Sequence, residues 1–305
     1  MNSNTEIKLE NNLDTKLDLK LEFEKLLNSD NLKLPMLPEV SFKVINLINN
    51  PNSSLNDISA IIQQDQAIAT HILRIANSAA FAPPTEIVSI NQAISRLGFK
   101  LLSEIIISIS LQLGIFNSKI FKNEMVYLWR FSLLTGLWAK RVSFHKKYNV
   151  EATFIGGLLH EIGKPILLNS LSKILNNIEY NEDEMNSLLN EYHLILSKKV
   201  MAEWNLPKLV SSITCNYNNL DECVEYKKEA TIVYLAHQLA HYSLELHKSN
   251  VEQNHNSINS TNNANPMETI ITLPQWAGLN YYRDEVEDLI AENDTVIQTL
   301  NSMVV

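Results

Sequence analysis

Glycine is scarce in this chain, seven among 305 residues. That scarcity argues against an architecture of strands and tight turns, where glycine supplies the unusual backbone angles. Cysteine is scarcer still. Cys215 and Cys223 are the only two, they lack metal-ligand spacing, and they fit a reducing, cytoplasmic compartment with no disulfide framework. Basic charge is also short: 25 Lys+Arg against 34 Asp+Glu leave a net charge of −9. Nucleic acid is therefore not expected as a partner, because phosphate contacts need basic patches. The one local cluster, Lys140, Arg141, Lys146 and Lys147, reads as a solvated helix end. The strongest apolar run, Leu101 to Phe116, carries Glu104, serines and Gln112. It is too short and too polar to cross a bilayer and reads as a buried helix, so no membrane insertion is expected. The N-terminus has mixed charge and no continuous apolar region, unlike a secretory leader.

What the chain does have is apolar residues at helical spacing, within a hydrophobic content of 45%. Residues 1–33 read as a polar extension. Pro35 and Pro38 mark an entry loop, and Val40 to Leu47 reads as a helix ended near Asn50-Pro51. Ser54 with Asp57, and Ser89 with Gln92, have capping-box spacing, while Asp65 can cap a helix between them. Gly98 can end the helix that Ser89 starts, and Asn77 can end the one before. Long helices are predicted from Tyr127 to about Tyr148 and from Met185 to Trp204. Ala230, Val233, His237, Ala240 and Leu244 mark another inward face. Residues 245–270 are rich in Asn and Ser and read as a flexible loop. A last amphipathic helix is expected from about Tyr281 to Met303, within a C-terminal segment 271–305. No repeat and no strand pattern emerges, so the expected fold is all-α, as two packed helical bundles.

Residues 151–164, EATFIGGLLHEIGK, are the most informative stretch. Ala152, Ile155, Leu159 and Ile162 make an apolar stripe, while Gly156, Gly157, His160 and Gly163 fall on another side. Glycines around a histidine allow close approach of a second backbone or of a ligand. Gly163-Lys164 fails as the end of a phosphate-binding loop, because Leu158 and Pro165 stand where glycine and Ser or Thr are needed. The segment resembles the motif of the HD superfamily of metal-dependent phosphohydrolases, and more closely the HDOD domains (HD-related output domains) of bacterial signalling proteins. LPMLPEV at 34–40, ISAIIQQDQAIATHILRIANSAAF at 58–81, INQAISRLGFKLL at 90–102 and MAEWNLP at 201–207 carry the same resemblance in order. It implies an HDOD domain over 34–244, with an N-terminal helical subdomain 34–116 and an HD-like subdomain 117–244, on which the C-terminal segment packs.

The resemblance also implies a ligand set, and this chain departs from it. Phe131 stands where a first histidine is expected, and a phenyl ring cannot ligate. The His-Asp pair becomes His160-Glu161; the extra methylene moves the carboxylate by about 1.5 Å, against a ligand tolerance of about 0.2 Å. His237 replaces a late aspartate, His193 matches a histidine of the second metal in two-metal relatives, and Asn216 and Tyr217 replace a histidine pair. His160, Glu161 and His237 could hold one divalent metal, since three protein ligands suffice for a catalytic zinc. No cofactor is otherwise expected. Each histidine also has a plainer reading: His160 as a histidine bonded to a backbone carbonyl, His237 as a satisfied core residue, and His193 as a capping or packing one. His237 and His241 share a helix side by spacing alone. Gly157 and Lys164 join Phe131, Asn216 and Tyr217 as candidates to line a surviving pocket. The expectation is a non-catalytic regulatory protein that acts through protein or small-ligand binding. A sensor kinase, a response regulator or a diguanylate cyclase is the partner the resemblance suggests. A phosphohydrolase with an altered ligand set, or a nucleotide or cyclic-dinucleotide binder, is the alternative.

Overall fold

The computed structural model describes residues 20–28, 34–48, 50–81, 85–172, 180–253 and 266–304, and among them there is helix and no strand. Helix over 20–28 (α1) precedes α2 (Glu39–Ile48), α3 (Leu55–Gln64), α4 (Gln66–Ala76) and α5 (Ile90–Gly114). α2, α3 and α4 all pack on α5, because α5 presents an unbroken buried run from Leu102 to Leu111. By length and composition α5 could cross a membrane, but most of its apolar window is buried inside the fold.

Local start signals are used as the sequence predicts. The Asp57 carboxylate accepts from the N–H and the hydroxyl of Ser54, both at 2.8 Å. Asp65 accepts from the N–H of Ala67 and Ile68. Ser89 and Gln92 cap each other at 3.2 Å in both directions. Gly98 breaks α5 with φ 72° and ψ 173°, a conformation that only glycine adopts cheaply. Asn77 ends α4: its amide donates to the carbonyls of Leu73 and Ile87 and accepts from the Ile87 N–H.

The second group is built around α6 (Lys122–Lys146), with α7 (Val150–Leu159), α8 (Gly163–Leu171) and α11 (Lys227–Gln253) against it. α9 (Glu182–Trp204) packs on α8 and on α10 (Lys208–Asn216). The Trp138 indole N–H donates to Ser243 Oγ at 2.9 Å and pins α6 to α11. α12 (Pro266–Ile271), α13 (Gln275–Gly278), α14 (Arg283–Ala291) and α15 (Asn293–Met303) complete the chain.

Three expectations need correction. The polar stretch read as a loop over 245–270 begins as helix, since α11 continues to Gln253 and α12 starts at Pro266; the segment 254–265 lies outside the described residues. No glycine or proline interrupts 245–253, so a helix already nucleated by its inward face propagates through polar residues. The single C-terminal helix is two, α14 and α15, separated at Glu292 (φ −76°, ψ 0°). The basic cluster is no idle surface. Arg141 reaches Glu292 at 3.0 Å, Lys146 reaches Glu285 at 2.6 Å, and Lys140 reaches the buried Glu104 of α5 at 2.6 Å. Tyr281 adds a hydrogen bond from its hydroxyl to the Val142 carbonyl at 2.8 Å. The C-terminal helices are thus clasped to α6, and α15 also touches α5.

Candidate functional site

The segment that carries the His-Glu pair is not one helix. α7 stops at Leu159, residues 160–162 form a turn, and α8 begins at Gly163. The turn is held from outside. Gly163 lies so close to α9 that a β-carbon there would sit 2.1 Å from the His193 carbonyl oxygen. Its N–H donates to Ser197 Oγ at 3.1 Å. Gly157 meets the backbone of α6 at Thr135 and Gly136 in the same way. The glycine face serves close approach of helices, and Gly157 fills a contact rather than lining an opening.

His160 and Glu161 are buried on this turn, and His237 comes to them from α11. His160 Nδ1 lies 2.6 Å from the Gly157 carbonyl oxygen, and its Nε2 lies 3.0 Å from His237 Nδ1. A carbonyl can only accept, so His160 carries its proton on Nδ1 and its Nε2 accepts from His237. Burial drives the His160 imidazole well below its ordinary pKa, and burial with the neighbouring His160 pushes His237 down to about 2. Both rings are therefore neutral near pH 7. Glu161 meets Lys164 at 2.5 Å. Burial pushes its carboxyl up, but the Lys164 ammonium, which also donates to it, holds it below the usual range.

Those contacts test whether a metal suits the site. His160, Glu161 and His237 each present a donor atom within 4.8 Å of the others. Yet the lone pair of His160 Nε2 already accepts from His237, and the carboxylate already faces an ammonium. Phe131, expected from the resemblance to stand at a ligand position, packs against the histidines, its ring 5.7 Å from His160, 5.1 Å from His237 and 4.5 Å from His241. Tyr217 closes the other side, 4.9 Å from the His160 ring. As arranged the donors meet one another, so holding an ion here would take His237 turning its Nδ1–H away and Lys164 withdrawing from Glu161.

Beside this cluster a cleft of about 690 Å³ opens between α6 and α9. Of the residues singled out in the sequence, Phe131, Glu161, Lys164 and His237 line it. His193 lies behind, buried on α9, with Nδ1 lacking a partner among the described residues. Burial pushes His193 down to about 4. Tyr217 is packed against the histidines, and Asn216 turns back to donate to the Ser212 carbonyl at 2.9 Å. The sequence reading missed Tyr127, Asn186 and Asn190 in the lining and weighed His241 too lightly. The spacing of Tyr127, Phe131 and of Asn186, Asn190 at four residues was the available signal.

Residues 34–220 match the family described as HDOD domain. A Treponema pallidum protein named only as uncharacterized is 27% identical over 216 residues, covering 67% of this chain and 41% of that protein's length. An HDOD domain protein of unknown function from Geobacter sulfurreducens superposes with a TM-score of 0.65 at 18% identity, covering 95% of this chain and 98% of that one. A candidate metal-dependent phosphohydrolase from Shewanella amazonensis gives 0.64 at 21%, covering 95% and 100%. A candidate signal transduction protein from Marinobacter aquaeolei gives 0.62 at 17%, covering 95% and 66%. At these identities the structures share the fold.

Proposed function

Because this chain belongs to the HDOD domain family, we propose that it is a non-catalytic regulatory protein of a bacterial signalling system, working by recognition rather than by hydrolysis. The observation that carries this reading is the saturation of the donor set: His237 donates to His160, and Lys164 holds Glu161. A phosphohydrolase uses a metal to make hydroxide near neutral pH and to neutralise phosphoryl charge. Here a phenyl ring stands beside the histidines, and an ammonium holds the carboxylate such an ion would need. The signalling description of the Marinobacter protein supports the context. The partner is a signalling protein such as a sensor kinase, a response regulator or a diguanylate cyclase, met in the cytoplasm. The seam between the subdomains 34–116 and 117–244, crossed by the Glu104–Lys140 pair, is the place where a bound state is passed on.

The second reading, a metal-dependent phosphohydrolase with an altered ligand set, is favoured by the nearness of His160, Glu161 and His237 and by the description of the Shewanella protein. It requires His237 to turn away and Lys164 to withdraw. Elemental analysis of the purified protein, with turnover of nucleotides and of bis-p-nitrophenyl phosphate in added manganese, iron or zinc, separates the two. Recognition predicts far less than one metal per chain and no turnover. Stoichiometric metal with turnover abolished by His160→Ala overturns it.

A further inference from the structure

The cleft between α6 and α9 has a chemistry that narrows what it can hold. One wall is made of rings. Tyr127 and Phe131 lie parallel, 8° between planes with centroids 6.1 Å apart, and His241 continues the wall 4.5 Å from Phe131. The opposite wall, on α9, offers the side-chain amides of Asn186 and Asn190, with Asn123 of α6 at the rim. The charges are unbalanced. Glu124, Glu161 and Glu182 face the cleft, and among its described lining residues Lys164 is the single cation. That ammonium is already held at 2.5 Å by Glu161. Among the described residues Glu124 is met by a phenol, the Tyr180 hydroxyl, and not by a cation.

Among the described residues a phosphate entering this space meets carboxylates without a cation beside them and no free ammonium, whereas phosphate sites are built from Arg, Lys and backbone N–H groups. A planar ring system meets aromatic faces to stack on. Amides and carboxylates supply acceptors for an amino group and for ring N–H groups. About 690 Å³ matches a ligand of nucleoside size. We propose that the cleft binds an uncharged, amino-bearing heteroaromatic compound of the nucleobase or nucleoside class and discriminates against its phosphorylated forms. This deepens the recognition reading, on which it rests, by naming the ligand class of the same site and removing nucleotides and cyclic dinucleotides from it.

Isothermal titration of the full chain at low salt with adenosine, guanosine and cytidine, and with their 5′-monophosphates, tests the idea. At least one nucleoside binds, and its monophosphate binds at least tenfold more weakly. Tyr127→Ala, at a residue 44% exposed, weakens the nucleoside about tenfold or more while the melting temperature of the free protein stays put. Glu124→Gln with Glu182→Gln narrows the gap between nucleoside and monophosphate. The proposal fails if no nucleoside binds at millimolar concentration, if the monophosphate binds as well or better, or if Tyr127→Ala binds like the wild type. Any of these outcomes without metal-dependent turnover leaves the non-catalytic reading standing; turnover removes that reading whatever the titration gives.

Discussion

A buried imidazole that stays neutral becomes a liability as the solution turns acid. His193 is held at about 4 by burial, against about 6.5 in an unfolded chain. The folded state therefore binds fewer protons than the unfolded state between those values. The stability this histidine supports is complete above pH 6.5 and falls as the pH drops toward 4. A shift of that size corresponds to on the order of 3 kcal/mol from this residue. Urea unfolding at pH 7.5, 6.5 and 5.5 is expected to show the loss, and His193→Leu to flatten it. Equal slopes in wild type and variant would show that His193 ionises freely in the fold. His160 and His237 add to the same acid sensitivity, which is why the variant flattens the dependence without abolishing it. The sequence named these histidines, because residue type and neighbourhood are local facts. It could not show that His237 donates to His160. That bond joins residues 77 positions apart and depends on a ring orientation that no spacing encodes.

Helix starts were legible wherever the capping chemistry is local, at Ser54, Asp65 and Ser89. Breaks were legible only when the broken residue announces itself. Gly98 does so, and its φ of 72° is the reason. The turn at 160–162 does not, since the apolar period of 151–164 runs straight through it. What stops the helix is α9, pressed against Gly163. These two glycines therefore predict different costs. At Gly98 an added β-carbon meets nothing within 4 Å, so Gly98→Ala costs only backbone strain, about 1–3 kcal/mol. At Gly163 it meets the His193 carbonyl at 2.1 Å, so α8 and α9 must part, and Gly163→Ala costs about 3 kcal/mol or more. Chemical denaturation of the two variants orders them. A Gly163→Ala protein as stable as Gly98→Ala would mean that the α8–α9 approach is not tight in solution.

The whole molecule presents two groups of helices that share one core. Buried side chains run without interruption from Val44 and Ile62 in the first group, through Ile105 and Ile109 of α5, to Trp138 and Leu159 in the second, and on to Leu289 and Leu300 at the C-terminus. Apolar burial is worth about 25 cal/mol per Å², so exposing that shared surface would cost either group a large part of its marginal stability. The polar contact across the seam acts differently, because it matters only while the seam stays closed. Glu104 is 4% exposed, and burial would raise its carboxyl further without the Lys140 ammonium of α6 beside it. Losing Lys140 with the groups still packed leaves that carboxyl buried without a cation. That the C-terminal segment packs on the second group was expected from the resemblance; the continuous core and the particular ion pairs of the clasp were not legible in the sequence, because they join side chains remote in the chain. Their consequence is cooperative unfolding. Differential scanning calorimetry should give a single transition whose calorimetric and van't Hoff enthalpies agree, despite a length at which multi-domain chains often show more than one. Lys140→Met should lower that transition without splitting it. Two separable transitions in the wild-type chain would show that the bundles are independent units and that the seam does not transmit a bound state.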